Sequence, residues 1–108
     1  MMTRILMITS TVVFVLLAGN VQGAGRVDKG ADLSFDCIEC HGMKGQGTWE
    51  TPALAGLSES HITSKLRGFN SGKIKSMDGI MHTYTEDLTD QQLQDLGAYW
   101  STIKKEQD

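Results

Sequence analysis

Two cysteines and a histidine are spaced so that their side chains could together bind one large prosthetic group. The chain has only two cysteines, and both occur in the run CIECH at residues 37–41. In a helical turn, positions i, i+3 and i+4 lie on one face, so Cys37, Cys40 and His41 would project together. Two thiols placed in this way could form thioethers with the two vinyl edges of one porphyrin, while the imidazole binds its iron. The pattern is that of c-type haem attachment.

Three other uses of the cysteines explain less of the sequence. A thioredoxin-like redox pair would need a βαβ context, which the helical patterns of this chain do not supply. A structural zinc site needs four ligands, and Cys37, Cys40 and His41 are too crowded to leave a natural fourth. A plain disulfide would leave His41 and the downstream methionines without a role. Haem attachment is therefore the favoured interpretation.

An iron held by one histidine also needs a ligand on its other axial face. The sequence has six methionines, but three precede residue 10, and Met43 follows the motif too closely to reach the opposite face. Met77 and Met81 remain, with His82 as a rival imidazole, whereas His61 is predicted to be exposed on a helix. If neither methionine bound, the iron would be open to small gases.

The N-terminal segment has the layout of an export signal. Arg4 is followed by the largely apolar run from Ile5 to Ala18, and then by small residues that include Gly23 and Ala24. We predict a signal peptide over residues 1–24 and a mature domain over 25–108, exported to the periplasm. An uncleaved anchor is the alternative, but the run is shorter than the ~20 apolar residues that a span needs.

The charge balance argues against nucleic acid as a partner. The chain has 10 Lys and Arg against 13 Asp and Glu, a net charge of -3. Removal of a signal that contains Arg4 would leave nine basic residues (10 less one) and make the balance more acidic. Phosphate contacts need a cationic surface instead. A mature chain of this size buries a modest core, and a cofactor would help to stabilise it.

Helical patterns account for the rest of the domain. A short helix is predicted over 26–35, and a second over 58–69 with Ser58 as its N-cap. In the last segment Thr89 and Gln92 form a predicted capping box. The apolar stripe that follows consists of Leu93, Leu96, Trp100 and Ile103. Because no alternating strand pattern is evident, the predicted fold class is all-α.

These motifs give the chain a family resemblance. The matching stretches are residues 37–42, 51–57, 81, 88–90 and 96–100, in family order. The chain resembles the small class I bacterial cytochromes c, including the cytochrome subunit of flavocytochrome c sulfide dehydrogenase. The resemblance implies three to five helices around one covalently bound haem c. It also implies that the first and last helices cross, with Gly30 and Leu33 meeting Leu96, Tyr99 and Trp100.

The resemblance also assigns roles around the iron. It implies that the Pro52 carbonyl accepts a hydrogen bond from His41, which fixes the imidazole tautomer. It favours Met81 over Met77 as the axial ligand, because the family's methionine precedes the last helix by a short loop. In addition, it places the basic segment 61–77 beside the haem. That segment contains four basic residues and no acid, namely Lys65, Arg67, Lys73 and Lys75.

The function implied is single-electron transfer with redox partner proteins, not catalysis by this chain itself. The leading expectation is a free periplasmic carrier without a membrane span once the signal is removed. The alternative is the haem-bearing subunit of a flavoprotein dehydrogenase, such as one that oxidises sulfide. No flavin motif occurs in the 108 residues, so catalysis of that kind would belong to a second chain. A gas-binding sensor is the third possibility.

Overall fold

The folded part of the chain is built from helices alone. The computed structural model describes residues 11–13 and 25–107, and no strand occurs among them. The helices are α1 (Val27–Leu33), α2 (Phe35–His41), α3 (Glu59–Ser71), α4 (Ile80–Thr85) and α5 (Asp90–Ser101). The all-α prediction is thereby confirmed. No helix within the described ranges has the length and apolar character to cross a membrane. The predicted signal peptide, residues 1–24, lies outside the described residues except for 11–13.

Helices α1 and α5 pack at very short range. A Cβ atom on Gly30 would overlap the Asp95 carbonyl oxygen and lie 2.7 Å from Cβ of Tyr99. A side chain at this position would therefore force the two helices apart. Leu33 packs against the buried core beside this crossing. The expected crossing is present, and Asp95 is an additional member of it.

Helix α3 covers another side of α5. Its contact is again close, since a Cβ on Gly97 would overlap the Thr63 hydroxyl. The buried core between these helices consists of Ile62, Leu66, Leu93, Leu96 and Trp100. Both predicted caps are formed, because the Ser58 hydroxyl accepts the His61 amide at 3.2 Å and the Thr89–Gln92 capping box closes reciprocally.

The end of α3 differs from the prediction by two residues. The helix continues through Gly68 to Ser71 and stops at Gly72, which has a φ of 78°. Gly68 lies inside the helix without a positive φ, and its missing side chain makes room for Ile74. The left-handed conformation at Gly72 is the one that favours glycine and ends a helix.

No periodic pattern in the sequence predicted a separate helix around Met81, but the five helices found among the described residues are within the three to five that the resemblance implied. Met81 is the second residue of α4, a six-residue helix that begins after Gly79. Gly79, its N-cap residue, has no capping side chain, so the usual sequence signal is missing. The side chains of Asp78 and Ser76 accept from the amides of Ile80 and Met81 instead, and contacts with α3 also hold the helix.

Candidate haem site

The CIECH motif lies on α2, and its three reactive side chains differ in exposure. Cys37 is half-buried and Cys40 is exposed, and both thiols are free of a disulfide. His41, the last residue of α2, is buried with 7% of its surface exposed. Within the described part of the chain, no group of three or more His, Cys, Asp and Glu side chains is arranged to hold a metal ion.

Cys37 lies against the core helix α5. Burial is the largest effect on the Cys37 thiol and raises its pKa. An interaction with the Trp100 indole lowers this pKa and the charge of Asp36 raises it, so the pKa lies above its ordinary value. The indole Nε1 of Trp100 is the single buried side-chain polar atom of residues 11–13 and 25–107 that lacks a hydrogen-bond partner of normal geometry. A buried N–H group without a partner is costly, so this region could accept a polar or sulfur-bearing group.

His41 is oriented by the loop that follows it. Its Nδ1 lies 2.7 Å from the carbonyl oxygen of Pro52, which can only accept, so Nδ1 carries the proton. The Nε2 atom of the neutral ring therefore keeps its lone pair and is available to a metal. This is the contact that the resemblance implied for Pro52.

The loop between α2 and α3 folds back to bring that carbonyl close. The Gly47 amide donates to the His41 carbonyl at 2.7 Å, and the Thr48 amide donates to the Thr51 carbonyl at 2.8 Å. Gly47 has a φ of 68°, and a Cβ there would lie 2.5 Å from the Thr51 oxygen and 2.6 Å from the Ala53 nitrogen. Only glycine combines this conformation with so close an approach of the 51–53 backbone.

The two candidate methionines occupy different environments. Met81 is half-buried and packs against the core cluster, whereas Met77 is fully exposed to solvent. The Met81 amide donates to the Ser76 hydroxyl at 3.2 Å, which ties the start of α4 to the preceding turn. Met43 is also exposed, on the loop after the motif.

The other two histidines are not placed as free ligands, since His82 contacts other residues and His61 is exposed. His82 Nδ1 donates to the Phe69 carbonyl at 2.8 Å, and its Nε2 lies 3.2 Å from a Glu86 carboxylate oxygen. Ligation through His82 would require at least one of these contacts to break. His61 lies exposed in the first turn of α3, as predicted.

The residues present fit a covalently bound porphyrin. Five partly exposed residues from three parts of the chain pack against one core cluster. They are Cys37 and Ile38 on α2, Leu54 and Leu57 on the loop, and Met81 on α4. An apolar macrocycle covering them would remove this half-exposed surface from water, which is favourable. Free thiols on one helix and an imidazole with an oriented lone pair supply the attachment chemistry.

Two residues in this region carry no clear signal in the sequence. Trp100 was predicted only as core, and an indole in an apolar stripe gives no sign that its N–H lacks a partner. Asn70 was not singled out, although its amide makes contacts with the segment after Met81. The only available signal was a polar amide directly after the predicted helix 58–69 and two residues before Gly72.

Known proteins share both the sequence pattern and the fold. The sequence pattern of the cytochrome c family matches residues 27–104. Cytochrome c-554(547) of Halothiobacillus neapolitanus is 35% identical over 77 residues, which cover 63% of this chain and 85% of that protein. Cytochrome c-554(548) of Halomonas halodenitrificans is 31% identical over 81 residues, which cover 73% and 98% of the two chains.

A solved structure extends the likeness to three dimensions. Cytochrome c4 of Acidithiobacillus ferrooxidans superposes with a TM-score of 0.65 at 29% identity. The match covers 76% of this chain and 52% of that one, so this chain spans about half the length of that relative. Family pattern, full-length relatives and fold agree: the chain belongs to the cytochrome c family, whose members are electron carriers that bind haem c covalently.

Proposed function

We propose that this chain is a periplasmic monohaem electron carrier with haem attached at Cys37 and Cys40 and iron held by His41 and Met81. The observation that carries the proposal is that Cys37 and Met81, from two separate helices, pack against the same core cluster. Bound haem iron supplies a one-electron couple between its ferrous and ferric states. The protein residues hold the group, fix its ligands and exclude water.

Each protein residue has a defined task in this proposal. The two thiols anchor the porphyrin, so it cannot dissociate during turnover. The Pro52 carbonyl keeps the proton on Nδ1 of His41 and turns Nε2 toward the iron. The Met81 thioether is a soft donor that favours the ferrous state, and it would raise the reduction potential relative to a second imidazole.

Two protein ligands to the iron would favour electron transfer over substrate binding. If His41 and Met81 both hold the iron, no coordination site would be left for a substrate or a gas, and the bound haem would supply only electron exchange with partners that dock at its exposed edge. Three lysines of segment 61–77 are exposed, namely Lys65, Lys73 and Lys75. Arg67 is exposed as well, but it is paired with Asp90 at 2.7 Å.

The ligand assignment is tested by comparing two methionine variants. Ferric haem with a sulfur ligand has a weak absorption band near the red edge of the visible spectrum. We expect Met77→Ala to keep this band, because Met77 points into solvent, and Met81→Ala to lose it. Persistence of the band in Met81→Ala would overturn the assignment.

Carbon monoxide provides a second readout on the same proteins. The ferrous wild-type protein should bind it slowly, because Met81 must first leave the iron, whereas ferrous Met81→Ala should bind it rapidly. Rapid binding by the wild type would instead support a gas sensor.

The native mass of the purified protein distinguishes a free carrier from the haem subunit of an enzyme, since the latter would elute together with a yellow flavoprotein.

A further inference from the structure

The side-chain amide of Asn70 closes the end of the helix that carries Met81. Asn70 Nδ2 lies 2.6 Å from the Thr85 carbonyl oxygen, 3.2 Å from that of Leu88 and 3.5 Å from that of Glu86. Thr85 is the last residue of α4, and its carbonyl, which has no partner within the helix, also accepts the Leu88 amide at 3.0 Å. One amide on α3 thus serves the carbonyls at the C-terminus of α4 and in the turn before α5.

The effect of this contact can be traced to Met81 through Thr85. The Thr85 hydroxyl donates to the Met81 carbonyl at 2.7 Å, and Thr85 is almost completely buried at 2% exposure. A displacement of Thr85 would therefore move the backbone of Met81 with it. His82 makes a parallel connection between the helices through its bond to the Phe69 carbonyl.

Helix α4 is unable to hold its own position. It has six residues, and isolated helices of this length are unstable in water because nucleation is costly. It begins after Gly79, which has a φ of 73° and offers no capping side chain, although Asp78 and Ser76 of the preceding turn accept from its first two amides. Its placement must come from neighbouring elements, and α3 provides the two side-chain connections described above.

We propose that Asn70 is the positioning residue for the methionine ligand, an inference that rests on the proposed ligation of iron by Met81. By holding the C-terminal end of α4 on α3, Asn70 keeps the Met81 thioether on the iron and slows its exchange for outside ligands. Asn70 itself contacts neither the haem nor the sulfur in this role.

Asn70→Asp is the sharpest variant, because it preserves size while replacing the donating NH2 group with a carboxylate oxygen. That oxygen would face the carbonyl oxygens of Thr85 and Leu88, and repulsion would replace attraction. Imidazole is the probe, since it binds ferric iron only after the methionine leaves. Loss of a hydrogen bond of ordinary strength should make imidazole binding about five- to tenfold faster. Asn70→Ala should act in the same direction and serves if Asn70→Asp does not yield a folded haem protein.

A control variant at another site distinguishes positioning of Met81 by Asn70 from a general loss of stability. Asp95→Asn weakens the α1–α5 contact, in which Asp95 bonds to Arg26 and Gln91 and to no residue of α4, and should lower overall stability while leaving imidazole binding at the wild-type rate. If Asp95→Asn accelerates binding as much as Asn70→Asp, general loosening explains the effect and the inference fails.

The outcomes also distinguish this inference from the proposed function. If the wild-type protein shows the sulfur band and Asn70→Asp binds imidazole at the wild-type rate, Asn70 has no positioning role, although Met81 remains the ligand. If the wild type lacks the band and binds imidazole as fast as Met81→Ala, the ligation itself is wrong.

Discussion

Arg26 and Asp95 connect the two ends of the folded domain. The Arg26 backbone amide donates to Asp95 Oδ1 at 2.8 Å, and its guanidinium donates to Oδ2 at 3.0 Å. Asp95 is buried, with 1% of its surface exposed, and also accepts from Gln91 at 2.8 Å. Burial opposes ionisation of this carboxyl, but the hydrogen bonds from Arg26 and Gln91 outweigh it and hold its pKa below the ordinary value.

Asp95→Asn should destabilise the protein by about 1–3 kcal/mol near neutral pH, because the neutral amide keeps only one of the two acceptor oxygens and turns a buried NH2 group toward the donors of Arg26 or Gln91. A carboxyl whose pKa is lower in the folded state stabilises the fold above its unfolded pKa of about 3.9 and stops doing so as the pH falls through the folded value. The difference in unfolding free energy between the two proteins should therefore shrink below about pH 4. Urea unfolding at several pH values measures it.

Asp90→Asn is the matched control on the same helix. Two hydrogen bonds lower the pKa of Asp90 to about 2, and the one from Arg67 has a larger effect than the one from Gln94. The pair is nevertheless exposed to solvent, where screening leaves ion pairs little net effect on stability. An equal loss of stability in both variants would contradict the importance of burial at Asp95.

Gly47→Ala should disturb the haem site rather than the fold alone. The added Cβ would push the backbone at Thr51 and Ala53 away, and with it the Pro52 carbonyl that orients His41. We expect a changed reduction potential, measured by redox titration, in addition to lower stability.

Gly72→Ala separates this effect from backbone strain. Gly72 also has a positive φ, of 78°, but no atom lies within 4 Å of the Cβ position. The Gly72→Ala variant should lose about 1–2 kcal/mol of stability, because alanine is strained in the left-handed conformation, and its reduction potential should be unchanged. A potential shift of the same size in both variants would argue against the role of the 51–53 backbone.

Lys73 and Lys75 should attract anionic partners to the haem edge. The double variant Lys73→Gln/Lys75→Gln should slow oxidation by ferricyanide several-fold at low ionic strength, because a local positive potential is lost. The difference should disappear at high salt, where the screening length falls below about 10 Å. Lys29→Gln, on α1, is the control. Rates that do not differ between the variant and this control would contradict steering by the basic segment.

Local sequence signals predicted the parts of the fold whose stability is local. The Thr89–Gln92 capping box and the Ser58 cap involve residues three apart, so the sequence alone reveals them. Helix α4 was missed because it lacks such a cap and depends on α3. The end of α3 was predicted two residues too early because Gly68 and Gly72 are both stop signals by residue type, and only the folded chain shows that Gly68 accommodates Ile74 while Gly72 ends the helix.

The site was predictable to different degrees for the same reason. The spacing of Cys37, Cys40 and His41 implies haem attachment through helical geometry. The Pro52 carbonyl and the choice of Met81 entered through the family resemblance, because each depends on the path of a loop. The contacts of Asn70 with Thr85, 15 residues away, and of Arg26 with Asp95, 69 residues away, require the folded chain.

The central claim is that Cys37 and Cys40 hold the haem by covalent bonds, and the intact mass of the purified, denatured protein tests it most directly. We expect the mass of the polypeptide plus one haem, retained after extraction with acidified acetone, since thioether bonds survive unfolding. A bare polypeptide mass, with the pigment released into the acetone or absent from the start, would contradict the account.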